Sequence, residues 1–369
     1  MLLELADELA GDLASEELEA LQNILRARRK GLHLLRASDR LFAALASVAS
    51  LPEPDRAILE KSRGQQVQKK ALFRAVQRRV LVSRDAGPSL EPDGGRETAI
   101  VPLRHFAPFS VADCAFVLGE GEPDARMAVR MARYFAHTRG LERLPLPHHV
   151  AVGGGGGTSI HLRLHRERPC FCIGVVDGDR AAPGCKEGRT AVEARREVDD
   201  AKPWVGLHVL ACREMENTLP SALMEAAYRD YQQKRRALDD LERFDEGGAL
   251  ARYRDYCDFK HGTQLKWVLE HEEEEAKRFW LAPDAPLTAA PSVNEGCLAQ
   301  RACPKGKNCT CVLATGVDKK KLLETCVNAA EEMPDHELEE LLCEKTEPHW
   351  RALGRTVFSW VCGTGETRV

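Results

Sequence analysis

Asp177-Gly178-Asp179 places two carboxylates one residue apart, directly after the apolar run Cys170-Phe171-Cys172-Ile173-Gly174-Val175-Val176. In extended chain, residues two apart point the same way. Two carboxylates held so close repel unless one is protonated or a cation bridges them. Hard divalent ions such as Mg²⁺ or Mn²⁺ prefer oxygen ligands, so a metal site is the economical reading. An Asp-Gly turn with a solvated second aspartate is the plainer one. Further acids recur in the same kind of place. Glu120 and Asp124 follow the apolar stretch Ala115-Phe116-Val117-Leu118, and Glu214 and Glu216 follow Trp204 to Leu210. Lys260 lies in the polar segment Asp258-Phe259-Lys260-His261-Gly262.

These acids need elements that bring them together. The run ending at Asp177 reads as a buried parallel strand, because it is short, apolar and rich in β-branched residues. Ala115–Leu118, His149–Val152 and Trp204–Leu210 read as its companions. A helix is expected from about Ala125 to His137, with Met127, Ala128, Met131, Ala132 and Phe135 on its apolar face. Pro123 suits its first turn. Five glycines, Gly153 to Gly157, follow the second strand, and Thr158 is expected to cap a short helix. Strands alternating with helices argue for a mainly parallel α/β sheet. In such sheets ligands bind outside the carboxyl ends of the strands, where these acids fall.

The ordered set resembles a TOPRIM domain, the catalytic module of topoisomerases, primases and OLD-family nucleases. The residues that carry the likeness are Glu120-Gly121 with Asp124, the glycine turn at Gly153 to Gly157, and Asp177-Gly178-Asp179. Glu216, in Glu214-Met215-Glu216-Asn217, resembles the later glutamate of the nuclease branch, and Lys260 resembles its lysine. The likeness covers residues 112 to about 265. It implies a nuclease that cleaves phosphodiester bonds in DNA or RNA with two Mg²⁺ or Mn²⁺ ions. Glu120, Asp177 and Asp179 would hold one ion. Asp124 and Glu216 would help to hold the second, with Glu214 as a helper, and Lys260 would neutralise charge on the phosphoryl group. It also implies an effector of bacterial anti-phage defence, paired with an ATPase or other sensor. A topoisomerase or primase subunit and a non-catalytic scaffold are the alternatives.

Other motifs are weaker. Gly119-x-Gly121-x-x-Asp124 nearly matches a dinucleotide fingerprint, but places Asp where close helix packing needs Gly or Ala. No Gly-Lys-Ser/Thr follows the glycine run, so a P-loop is not expected, and nucleotide gating would have to come from a partner. No Ser-His-Asp or Cys-His arrangement is legible.

The 369 residues allow two or three domains. Three regions are expected: a helical N-terminal region over 1–110, the TOPRIM-like domain over 111–265, and a mixed C-terminal region over 266–369. Leu2, Leu3, Leu5, Leu9, Leu13, Leu18, Leu21 and Leu25 recur at helical spacings, and Asp85 to Arg96 reads as a linker. A net charge of −4 gives no global attraction to nucleic acid, so binding must come from a local patch. Lys61, Lys69, Lys70, Arg74 and Arg78, in a stretch without acids, are the candidates for contact with substrate or partner. A solvated helix face is the bland reading of that stretch.

Thirteen cysteines without a secretory signal point to a reducing, cytoplasmic setting, and no apolar run is long enough to span a membrane. Cys297, Cys303, Cys309 and Cys311 share one polar loop. Their gaps of five, five and one residues depart from the paired spacing of structural zinc, so thiols are expected there and zinc is the alternative. A homo-oligomer is compatible with all of this.

Overall fold

A computed structural model describes residues 1–168, 170–246, 250–282 and 311–367. The chain divides into two compact units that interleave in sequence. The first comprises Met1–Val175, Glu193–His208 and Arg351–Val369, and the second Val176–Val192 and Val209–Trp350.

The first unit holds two sheets. One has five strands: β1 (Leu2–Leu5), β2 (Leu34–Arg36), β3 (Arg78–Ser83), β4 (Ser89–Asp93) and β5 (Arg96–Pro102), in the order β2-β1-β3-β5-β4. β1 runs parallel to β2 and β3, β3 runs parallel to β5, and only β4 is antiparallel. The helical N-terminal region expected from sequence is therefore an α/β layer. Helices do cover Ser15–Arg29, Asp39–Ala46, Glu53–Gln65 and Lys70–Ala75, but Leu2, Leu3 and Leu5 belong to a strand. A central parallel strand buries both faces, so its apolar run loses the period-two signal and cannot be told from helix by pattern. All three leucines are buried. The expected linker is also corrected: Asp85 to Arg96 contains β4 and the turn of a hairpin. Gly94 and Gly95, at φ +53° and +86°, adopt the left-handed conformations that a tight hairpin turn requires.

The second sheet of this unit matches expectation closely. It comprises β6 (Phe116–Gly119), β7 (His149–Val152), β8 (Cys172–Val176) and β9 (Val205–Val209), in the order β7-β6-β8-β9. β6 runs parallel to both β7 and β8. β8 is buried along its whole length. The last helix, Glu347–Val361, belongs to this unit from Arg351 onward instead of closing a separate C-terminal region. Phe358 packs on Phe135 at 5.4 Å between ring centroids. Gly354 lets the helix lie against Met131, whose carbonyl oxygen would be 2.3 Å from an added Cβ.

The second unit is mostly helical, with Ser221–Ala227, Arg235–Asp245 and Leu322–Glu332 among its helices. Its two-stranded antiparallel sheet pairs β10 (Gly262–Gln264) with β11 (Val312–Thr315). Among the described residues, no helix is long and apolar enough to cross a membrane.

The close approach at Gly354 yields a stability prediction. Gly354→Ala adds a methyl group where the Met131 backbone cannot retreat, and overpacking of this kind costs about 1–3 kcal/mol. The urea midpoint should fall measurably, and an unchanged midpoint would contradict the packing described.

Candidate active site

Five of the expected residues meet in the second unit. Lys260 is the centre of the group. Its Nζ lies 3.2 Å from Glu214 Oε2 and 3.4 Å from Glu216 Oε1. Burial opposes the Lys260 charge, but Glu216, Glu214 and Asp177 outweigh it and hold the ammonium's pKa above the ordinary lysine value. Asp177 is bound to the same loop, since its Oδ1 accepts the Met215 N–H at 2.9 Å. Asp179 is tied in through its backbone, whose N–H donates to the Arg213 carbonyl at 2.7 Å.

The Asp177–Asp179 turn is dictated by close backbone packing. A Cβ on Gly178 would lie 2.4 Å from the Cys212 carbonyl oxygen and 2.6 Å from that of Leu210. Only glycine fits there. Among the described residues Asp179 is the one non-glycine with positive φ, at +50°. Such strained conformations collect at functional sites. Gly188 packs against the Asp179 side chain, and its N–H donates to the Gly178 carbonyl at 3.0 Å.

A buried clamp holds the glutamate loop. The Glu214 N–H donates to Asn217 Oδ1 at 2.8 Å, while Asn217 Nδ2 donates to the Arg254 and Cys257 carbonyls. Arg254 is buried, donates to the carbonyls of Asn217 and Leu219, and pairs with Asp245. Trp350 Nε1 donates to the Thr218 carbonyl at 2.8 Å. Glu214 and Glu216 are thereby buried on a fixed backbone, at 9% and 4% exposure.

Arg213, Asn217 and Arg254 were missed by sequence reasoning. Arg213 lies 3.7 Å from both Glu214 and Asp258 and stacks over the Trp267 ring. Nothing in the sequence distinguishes these two arginines from the many solvated ones. The neighbouring Arg-Glu-x-Glu-Asn string was their only signal.

Among the described groups named at this site, carboxylates outnumber cations. Asp177, Asp179, Glu214, Glu216 and Asp258 face Arg213 and Lys260. Glu214 Oε2 is buried, with the Lys260 ammonium 3.2 Å away as its ion-pair partner. An all-oxygen donor set in which carboxylates outnumber cations fits a hard divalent cation. The carboxylates are not already gathered into one ligating cluster. Among the described residues, the one group of three with ligand atoms all within 4.8 Å is Asp113, Cys114 and His149.

Glu120 and Asp124 belong to the first unit. The Glu120 carbonyl accepts the Gly154 and Gly155 N–H groups at 2.9 and 3.3 Å, which anchors the glycine turn to the end of β6. Asp124 Oδ2 accepts the Gly121 N–H at 2.9 Å, at the start of the helix Glu122–His137. Part of the Asp124 carboxylate is thus committed to holding that helix start. Thr158 is the first residue of its helix instead of its cap, and its hydroxyl donates to the Gly155 carbonyl.

The basic stretch divides. Arg78 does not face solvent as a phosphate contact. It sits on β3, pairs with Glu97 at 2.9 Å, donates to the Pro203 carbonyl and stacks over the Trp360 ring at 4.6 Å. Lys69 donates to Gln65 at 2.7 Å, and burial together with the Arg28 and Lys61 charges lowers its pKa to about 8. Lys61 and Lys70 are exposed or half-exposed on their helices. Arg74 is exposed and lines a hollow of about 410 Å³ with Arg96, Arg139 and Arg355, over Ala75, Val76 and Leu141. No acidic residue lines it. Arg74 belongs to the basic stretch, but Arg96, Arg139 and Arg355 lie far from it in sequence, so no run betrayed their grouping. Cys297, Cys303 and Cys309 lie outside the described residues, and Cys311 is buried.

No family model matches the chain, and neither a curated protein nor a solved structure matches it.

The Asp179 environment sets a pH prediction. The Asp179 residue is exposed, yet partial desolvation of its carboxyl raises the pKa, and the Arg213 and Lys260 charges only partly offset that. A carboxyl whose folded pKa is raised contributes stability below its unfolded pKa and loses that contribution as pH rises through the folded one. Because the residue is exposed, solvent screens most of this, and ionised Asp179 disfavours the fold only slightly at neutral pH. Asp179→Asn tolerates the positive φ and removes the charge. It should melt higher than wild type at pH 7, with the difference vanishing near pH 3. A variant melting lower at pH 7 would contradict this account.

Proposed function

We propose that the chain is a divalent-metal-dependent nuclease of the TOPRIM kind, acting on phosphodiester bonds in DNA or RNA. The observation that carries the reading is the convergence of Asp177, Glu214 and Glu216 on Lys260, from three separate stretches of sequence. Asp177, Asp179, Glu214 and Glu216 are the residues that would hold Mg²⁺ or Mn²⁺ in the second unit, and the resemblance adds Glu120 and Asp124. Two such ions, when bound, stabilise the attacking and leaving oxygens of an in-line displacement and lower the pKa of water.

The chain's own groups do the rest. Lys260 is an ammonium at every working pH, so it serves as a fixed positive charge for a phosphoryl oxygen and not as a base. Arg213, held over Trp267, adds a second fixed charge beside Asp179. The Asn217–Arg254 clamp keeps both glutamates in place while a cation competes with Lys260 for them. The hollow lined by Arg74, Arg96, Arg139 and Arg355 offers guanidinium groups for backbone phosphates.

The strand-passage alternative is less well supported, because Tyr134, Tyr228 and Tyr253, three of the five tyrosines, are buried. A role as an anti-phage effector gated by an ATPase or other sensor partner accords with the absence of a P-loop motif in the sequence.

Plasmid, single-stranded DNA and RNA incubated with Mg²⁺, Mn²⁺ or EDTA test the activity. Cleavage should require the metal and be abolished in Asp177→Ala and Glu120→Ala, with circular dichroism unchanged. Undiminished cleavage by both variants rejects the assignment. Arg139→Ala and Arg355→Ala should each weaken nucleic-acid binding and reduce the slope of log affinity against log salt by about 1. Unaltered slopes remove the hollow from the binding surface.

A further inference from the structure

At the opposite ends of the strands from Glu120, the first unit gathers a different set of donors. Asp113, Cys114 and His149 bring one ligand atom each to within 4.8 Å of one another. Asp113 is the link between them. Its Oδ1 accepts the Cys114 N–H at 2.8 Å, and its Oδ2 lies 3.6 Å from His149 Nε2.

The sheet register brings a fourth candidate donor nearby. Phe116 on β6 is in register with His149 on β7 and with Cys172 on β8. Cys114 precedes Phe116 by two residues, and Cys170 precedes Cys172 by two. Continued two residues back, beyond the paired strands, that register would set Cys170 beside Cys114 on neighbouring segments about 4.8 Å apart, although the Cys170 thiol lies outside the 4.8 Å group and must turn inward to ligate. Side chains two apart share a face, so each thiol lies on the face of its register partner. The Phe116 N–H donating to the Phe171 carbonyl at 2.8 Å shows that the pairing does extend beyond β8. The Asp113 charge also reaches Cys170, whose thiol is pushed up by burial and then by that carboxylate.

We propose that Asp113, Cys114, His149 and Cys170 form a zinc site that staples the starts of β6, β7 and β8. Two thiolates, an imidazole and a carboxylate are the donor types that Zn²⁺ accepts in a four-coordinate tetrahedral site, whereas Mg²⁺ and Ca²⁺ avoid sulfur. Both thiols give up their protons on binding, and the ion replaces those protons as the partner of the Asp113 charge. The site is structural, since it lies at the edge of the sheet away from the strand ends that carry Glu120. It owes nothing to the spacing rules that identify zinc motifs, because its ligands come from three strand starts and not from one loop.

The test uses the full-length protein stripped with a chelator and titrated with Co²⁺, with zinc content measured in parallel by mass spectrometry. Wild type should show thiolate-to-cobalt absorption in the near ultraviolet and bind one equivalent more than C114S. H149N, altered at a half-exposed side chain, should remain folded and bind at least about tenfold more weakly, since even partners of metal ligands are worth 10–100-fold. C170S should lose about half the thiolate absorption at this site, whereas C303S, in the other cysteine-rich stretch, should keep the C114-dependent signal. Wild-type metal content and absorption in both C114S and H149N overturn the proposal. An unchanged signal in C170S also overturns it, because the four-ligand site then lacks its fourth ligand.

Discussion

The Lys260 ammonium is what allows the second unit to bury two glutamates beside an aspartate. Carboxylates taken out of water cost several kcal/mol each, and like charges a few ångströms apart add to that cost. One ammonium at 3.2 and 3.4 Å from two of them offsets part of it. It does not offset all of it, because Arg213 is the second cation facing five acids. The residual negative charge is thus a property of how the loops fold. Partial desolvation disfavours ionised Asp179, whereas the neighbouring carboxylates hold the Lys260 proton. A site in this state is less stable than a neutral core and more attractive to cations.

The imbalance persists only because the backbone is fixed independently of it. Asn217 and Arg254 satisfy the carbonyls of the glutamate loop from within the protein, and Trp350 closes its far side. Gly178 sits under two carbonyl oxygens, and Asp179 takes a left-handed conformation. None of these groups carries chemistry itself. Each removes a way for the acids to move apart and hydrate.

Much of this was legible in the sequence, for reasons that differ by element. β6 to β9 were readable because short apolar runs ended in polar turns, and their acids fell at the run ends. The helix Glu122–His137 was readable from Pro123 and its apolar face. The N-terminal layer was not, because Leu2, Leu3 and Leu5 fill both faces of a buried strand and leave no period. The hairpin at Gly94-Gly95 was hidden by the punctuation that also marks linkers. Arg78 looked like its basic neighbours, and only the strand register placed it between Glu97 and Trp360. The grouping of Asp113, Cys114 and His149, and the arginine hollow, depend on long-range pairing that no local spacing encodes.

The route of the chain explains why the acids arrive as pairs. It leaves the first unit at Val175 and again at His208, near the ends of β8 and β9. Asp177 and Asp179 follow the first departure, and Glu214 and Glu216 the second. A strand that ends has backbone groups no longer paired within the sheet, and loops there must find other partners. Here the loops pair with each other: Asp179 N–H with the Arg213 carbonyl, and Met215 N–H with Asp177. These hydrogen bonds hold the two loops together. The carboxylates come close as a consequence, and their repulsion is met by a lysine from a third stretch. Acid pairs after two strands, joined by loop-to-loop hydrogen bonds, form a more demanding constraint on this sequence than any one of its motifs.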